Sequence, residues 1–199
     1  MARTGEDRIL TVPNVLSVVR LCCIPVFLWL LFGRENRLGA AVLLGALGAT
    51  DWVDGFIARR YDQVSNLGKV LDPTADRLLL VVGIVAILVD GSVPPVIAVP
   101  AIVREVGVGT AVVVLFALGA RRIDVTWWGK CGTFLMMAAF PLFLGGNDPE
   151  FGARDFVRAL GWACGVVGLV VSYFAAFRYI PLGREALREG RQGRVGSNE

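Results

Sequence analysis

A chain of 199 residues with 55% hydrophobic content, 19% charged residues and a mean hydropathy of +0.64 is too apolar for an ordinary soluble globule. The net charge of +3 suits anionic lipid headgroups and decides little else. The absence of histidine excludes Ser-His triads, histidine metal sites and histidine acid-base work, so any proton transfer falls to a carboxylate, Lys, Tyr or Cys.

The predicted elements are all helices. The opening "MARTGEDRILTVPN" is mixed in charge and lacks a small-residue cleavage pattern, so no removable signal peptide is expected. "TVPNVLSVVR" is expected to start a short helix at Pro13 or Asn14 and to lie along the membrane interface. Six apolar runs near the ~20 residues that cross a bilayer follow, at roughly 15–33, 38–58, 76–90, 94–118, 128–146 and 156–181. The third lengthens if its helix starts near Lys69. The fold class expected is an all-α integral membrane protein of six transmembrane helices plus the short interfacial helix. There is no convincing repeat, and the 24 glycines are spread through the spans, where small residues let helices approach. One membrane domain is expected over 1–185, and the polar end of the chain, 186–199, reads as a disordered tail.

Outside these spans fifteen Lys and Arg fall on one side, Arg20 counted among them, against four on the other (Arg34, Arg37, Arg154 and Arg158). The positive-inside rule then puts both termini, and the segment described next, in the cytoplasm of a cell with the protein in its plasma membrane. Cys22, Cys23, Cys131 and Cys164 sit in apolar runs without metal-type spacing and read as small core hydrophobes.

The chemistry concentrates in "DWVDGFIARRYDQVSNLGKVLDPTADR", residues 51–77. Asp51 and Asp54, three apart, share one helix face, and Asp72 and Asp76, four apart, share another. Four unpaired carboxylates brought together are very costly, so either they are protonated or a cation lies among them, and oxygen-only ligands favour Mg²⁺, Mn²⁺ or Ca²⁺ over zinc. Gly55, Ala58 and Gly68, each about a turn from a carboxylate, leave bare gaps against which a bulky ligand can dock. Arg59 supplies a fixed cation for phosphate, and Pro73 is expected to start or kink the third span.

The spacing Asp51-x2-Asp54-Gly55-x2-Ala58-Arg59-x8-Gly68-x3-Asp72-x3-Asp76 resembles, at every specified position, the signature of the CDP-alcohol phosphatidyltransferase family. Members are six-helix membrane enzymes in which an alcohol attacks the β-phosphate of a CDP-linked lipid and CMP leaves. The resemblance implies that Asp51, Asp54, Asp72 and Asp76 hold two divalent cations, Mg²⁺ or Mn²⁺, with Asp76 also the catalytic base. It implies that Asp54, Gly55, Ala58, Arg59 and Gly68 face the nucleotide and diphosphate, and Asn14 of the opening segment joins that set. It further implies a homodimer and CDP-diacylglycerol as phosphatidyl donor.

"LTVPNVLSVVRL", "AIVREVGV" and "WWGKCGTF" resemble the branch holding phosphatidylglycerophosphate synthases and CDP-lipid-using cardiolipin synthases. Arg104, read as the only basic residue deep in a span, is expected to contact the acceptor's phosphate, unless it is simply paired with Glu105. Lys130 is a second acceptor contact or a snorkelling interfacial lysine. Glycerol-3-phosphate enzymes of this branch carry a further arginine eight residues on, where this chain has Val112, so phosphatidylglycerol is expected as acceptor and glycerol-3-phosphate as the alternative. Two other classes compete: an ion-coupled transporter, which predicts midplane charges in repeated broken helices, and an idle scaffold, which has no use for four costly carboxylates.

Overall fold

A computed structural model describes the backbone of residues 12–61, 68–118 and 127–195; the side chains of 12–14, 16, 17, 51–61, 68–77, 116 and 179–195 lie outside the described residues. Helix α1 (Val12–Leu28) passes into a π-helical turn (Trp29–Gly33) and is followed by α2 (Arg37–Tyr61), α3 (Gly68–Asp90), α4 (Pro95–Ala117), α5 (Trp127–Gly146) and α6 (Arg154–Val195). There is no strand among the described residues.

Three boundaries differ from the hydropathy reading. Val12 opens one continuous helix, so the segment expected as a separate interfacial helix forms the first turns of α1. Pro13 suits that position, because a first-turn residue has no helical partner for its N–H anyway. Helix α3 starts at Gly68, five residues before Pro73, which gives the third helix 23 residues. Helical backbone in α6 continues to Val195, into the stretch read as a polar tail. "REALREGR" lacks an apolar face, yet Ala, Leu, Glu and Arg are strong helix formers.

Within α4, α5 and α6, Pro95–Leu115, Trp127–Gly146 and Arg154–Arg178 are long and apolar enough to cross a membrane. Val18–Gly33, Arg37–Thr50 and Leu78–Asp90 form shorter apolar stretches of α1 with its π turn, α2 and α3. Large apolar side chains such as Val42, Val89 and Phe177 lie on the outside, a surface that lipid covers better than water.

The chain divides into two compact units. In the first, α1, α2 and α3 pack with the second half of α5 and the start of α6. Ile24, Leu47 and Leu79 bring one side chain from each of α1, α2 and α3 into a shared core. Phe140 and Phe143 of α5 are buried, and Phe143 meets Trp162 edge-on at 5.6 Å. In the second unit, Gly132 of α5 lets α6 come close, since a Cβ there would fall 2.9 Å from the Ser172 Cα. Tyr173 donates from its hydroxyl to the Pro100 carbonyl at 3.0 Å, fastening α6 to α4.

A polar tie closes one end of the first unit. Arg37, at the start of α2, donates from Nε and Nη2 to the two carboxylate oxygens of Asp90, at the end of α3, at 3.0 and 3.1 Å. Ser92 also donates to Asp90, and Asn147 donates to the Ser92 carbonyl at 2.6 Å. Asp148 accepts from the Leu38 N–H at 3.0 Å, which satisfies one of the orphan donors of the α2 N-terminus. The tie fixes α2 and α3 as antiparallel neighbours, so residues equally far from Arg37 and from Asp90 stand level. Leu44 and Gly83, each seven residues in, demonstrate this: a Cβ on Gly83 would touch Leu44 Cδ1 at 3.6 Å.

Asp90 is only 9% exposed in its side chain, so Arg37→Ala strands a buried carboxylate with one remaining side-chain donor. A loss of roughly 1.5–3 kcal/mol is expected in unfolding measurements in detergent, with partial recovery in Arg37→Lys. An unchanged midpoint for Arg37→Ala would show that the tie is ornamental.

Candidate active site

Asp51, Asp54, Gly55, Ala58 and Arg59 occupy the later turns of α2, and Gly68, Asp72 and Asp76 the first turns of α3, all within the first unit. Their side chains lie outside the described residues, as does that of Asn14 on α1. Among the described residues no three carboxylates, cysteines or histidines gather in one place. The backbone supplies the relevant geometry. Asp51 is fourteen residues from Arg37 and Asp76 fourteen from Asp90, so by the register of the tie each stands about 21 Å along its helix from the same closed end.

Just short of that level the first unit has a partly open cavity of about 30 Å³, lined among the described residues in part by Leu44, Leu47 and Gly48 of α2 and by Leu79, Leu80 and Gly83 of α3. Its size admits a water molecule. These lining residues pair off by the same register, Leu47 with Leu80 and Gly48 with Leu79. Asp51 follows Leu47 by four and Gly48 by three, and Asp76 precedes Leu79 by three and Leu80 by four. The two carboxylate positions therefore continue the cavity-lining stripes by one turn. An oxygen-only donor set on two helices held in this register fits hard divalent cations.

The remaining cavity wall corrects the sequence reading. Arg20 of α1 lines it and is only 4% exposed. The charge count by side places it outside the spans, with Arg104 as the only basic residue deep in one. Arg20 lies inside the apolar run 15–33, and the rule that singled out Arg104, that an intramembrane charge marks function, applies to it equally.

Arg104, on α4 in the second unit, has a side chain only 11% exposed and donates from Nη1 to Glu105 at 2.7 Å. The pairing with Glu105 is thus present, and it leaves the buried Nε without a hydrogen-bond partner. Neighbours i and i+1 do not face each other on a helix, so the Arg104 side chain must swing round to reach Glu105. Val112 is 45% exposed and does not share these enclosed surroundings. Lys130, in the first turn of α5, is exposed beside exposed Trp127 and Trp128, the setting of an interfacial lysine. The four cysteines are free; Cys22 is exposed and the other three partly buried.

The family model for CDP-alcohol phosphatidyltransferases matches residues 10–173. This chain belongs to the CDP-alcohol phosphatidyltransferase family. Three relatives set it within that family. A cardiolipin synthase (CMP-forming) of Streptomyces coelicolor is 36% identical over 94% of this chain and 88% of its own. A CDP-diacylglycerol–glycerol-3-phosphate 3-phosphatidyltransferase of Haemophilus influenzae is 33% identical over 64% of this chain and 72% of its own. Another of that name, from Sodalis glossinidius, is 29% identical over 90% and 98%. For this CDP-alcohol phosphatidyltransferase the family match decides against the transporter and scaffold alternatives.

Proposed function

We propose that this enzyme transfers the phosphatidyl group of CDP-diacylglycerol to a hydroxyl of phosphatidylglycerol, forming cardiolipin and releasing CMP. The acceptor oxygen forms a bond to the lipid-side phosphorus of the diphosphate, the bond from that phosphorus to the CMP oxygen breaks, and Asp76 takes the hydroxyl proton. Asp51, Asp54, Asp72 and Asp76 hold two divalent cations, Mg²⁺ or Mn²⁺, which when bound neutralise diphosphate charge. Gly55, Ala58 and Gly68 leave room for the nucleotide, with Asp54 and Asn14 as further contacts and Arg59 on the diphosphate.

The observation that carries the choice of acceptor is the Arg104–Glu105 pair. Together the two side chains are neutral and leave one enclosed N–H open, which suits the single negative charge of a phosphodiester better than a phosphomonoester near −2. The higher identity to the Streptomyces coelicolor protein points the same way. Half-exposed Val112 contributes less than its sequence position suggested. The names of the Haemophilus influenzae and Sodalis glossinidius relatives favour a second reading, glycerol-3-phosphate as acceptor with phosphatidylglycerophosphate as product. Lys130 serves either acceptor as an outer contact.

In the same reading all six helices cross the plasma membrane, with both termini and the motif in the cytoplasm. Residues 1–185 form the catalytic domain, 186–199 a polar extension, and two chains a homodimer. Purified protein given CDP-diacylglycerol and phosphatidylglycerol is expected to release CMP with Mg²⁺ or Mn²⁺ and to stop in EDTA. Full turnover in EDTA would remove the metal assignment.

A further inference from the structure

We infer that Tyr173 of α6 is a positioning residue for Arg104: through the Pro100 carbonyl it holds the turn of α4 that presents this guanidinium to the acceptor's phosphate. This role rests on the reading of Arg104 as the acceptor contact. Three observations within the second unit carry it.

First, α4 is at its weakest one turn before Arg104. Pro100 lies inside the helix without an N–H, so the Val96 carbonyl loses its helical donor and is crowded by the proline ring. Any bend there passes to the next turn, which ends in Arg104. Packing gives that turn little grip, because Val96, Val99 and Val103 are exposed and the buried position, Ala101, offers a single methyl.

Second, the Pro100 carbonyl is the point at which the turn can be held. In an α-helix the carbonyl of residue i accepts from the N–H of residue i+4, which makes the Pro100 oxygen the helical acceptor of the Arg104 N–H. A carbonyl oxygen has two lone pairs, and the Tyr173 hydroxyl donates to the same oxygen at 3.0 Å. The tyrosine and the Arg104 backbone therefore meet at one atom.

Third, the stretch of α6 that carries Tyr173 is firmly seated. Ser172 and Ala175 are buried, Gly132 lets the α5 backbone come close to Ser172, and Phe174 meets Trp128 edge-on at 6.0 Å. A hydroxyl on this base can steady a kinked neighbour.

Arg104 has a use for such a hold. Its side chain swings round to Glu105 and keeps a buried Nε without a partner. Hydrogen bonds weaken steeply with misalignment, so that open N–H serves an acceptor oxygen only if the backbone beneath it is fixed.

The test is steady-state CMP release by the purified full chain, varying CDP-diacylglycerol and, separately, whichever of phosphatidylglycerol and glycerol-3-phosphate the wild-type chain converts. Tyr173→Phe removes the hydroxyl and keeps the ring. It is expected to raise the acceptor's KM roughly two- to tenfold, the worth of one hydrogen bond, and to leave kcat and the KM for CDP-diacylglycerol within about twofold. In the Arg104→Ala, Glu105→Ala background the same substitution is expected to add almost nothing, since no guanidinium is left to aim. An unchanged acceptor KM in Tyr173→Phe overturns the inference. Equal increases in both Michaelis constants overturn it too, by reducing Tyr173 to packing, as does the same increase in the background that lacks Arg104. A normal acceptor KM in that background before Tyr173 is changed overturns the reading of Arg104 itself, and this role with it.

Discussion

Asp51→Asn and Asp72→Asn are each expected to abolish CMP release while leaving a folded protein in detergent. An amide keeps the size of the side chain and one carbonyl oxygen, but it removes the charge that offsets a divalent cation. If the cations contribute several kcal/mol of charge stabilisation, losing one should slow the reaction by about 10² to 10⁴. Asp76→Asn is expected to behave differently in binding. Loss of a general base costs roughly 10²- to 10⁴-fold in turnover, and much of the CDP-diacylglycerol affinity should survive. If Asp76→Asn loses donor binding as fully as Asp51→Asn does, Asp76 is chiefly a ligand and the proton goes elsewhere. Near-normal turnover in Asp51→Asn would remove the motif from the chemistry.

Arg104→Ala should raise the KM for phosphatidylglycerol about ten- to a hundredfold, corresponding to one charge-assisted contact of roughly 1.5–3 kcal/mol, with little change in the KM for CDP-diacylglycerol. The substitution also strands Glu105, 17% exposed in its side chain, so some stability will be lost. The double variant Arg104→Ala with Glu105→Ala separates the two effects, because it removes the stranded charge and keeps the acceptor defect. Equal increases in both Michaelis constants would make the Arg104–Glu105 pair a packing feature of α4.

Much of this molecule was legible in its sequence, for reasons that differ by element. Apolar runs located the body of each described helix, since burial in lipid or core demands a continuous apolar stretch of that length. Start and stop positions were less visible. Gly68 opens α3 within a charged, glycine-bearing segment that hydropathy scores as loop, and α6 continues past its apolar part on helix propensity alone. The motif was readable because its chemistry fixes residue types at fixed spacing. The Arg37–Asp90 tie was not, because it joins residues 53 apart and each partner looks like an ordinary interfacial charge. Arg20 was misread for a related cause: counting charges by side assumes that every Lys or Arg near a span end faces water, and only packing shows that this one faces a core. Glu105 was foreseen as a partner of Arg104, whereas the unpartnered Nε needed coordinates.

The most direct measurement offers the purified wild-type enzyme CDP-diacylglycerol and Mg²⁺ or Mn²⁺, with phosphatidylglycerol in one reaction and glycerol-3-phosphate in another, and identifies the lipid product by mass spectrometry. The expected result is cardiolipin with stoichiometric CMP from the first and little product from the second. Efficient formation of phosphatidylglycerophosphate from glycerol-3-phosphate, with phosphatidylglycerol left untouched, would contradict it.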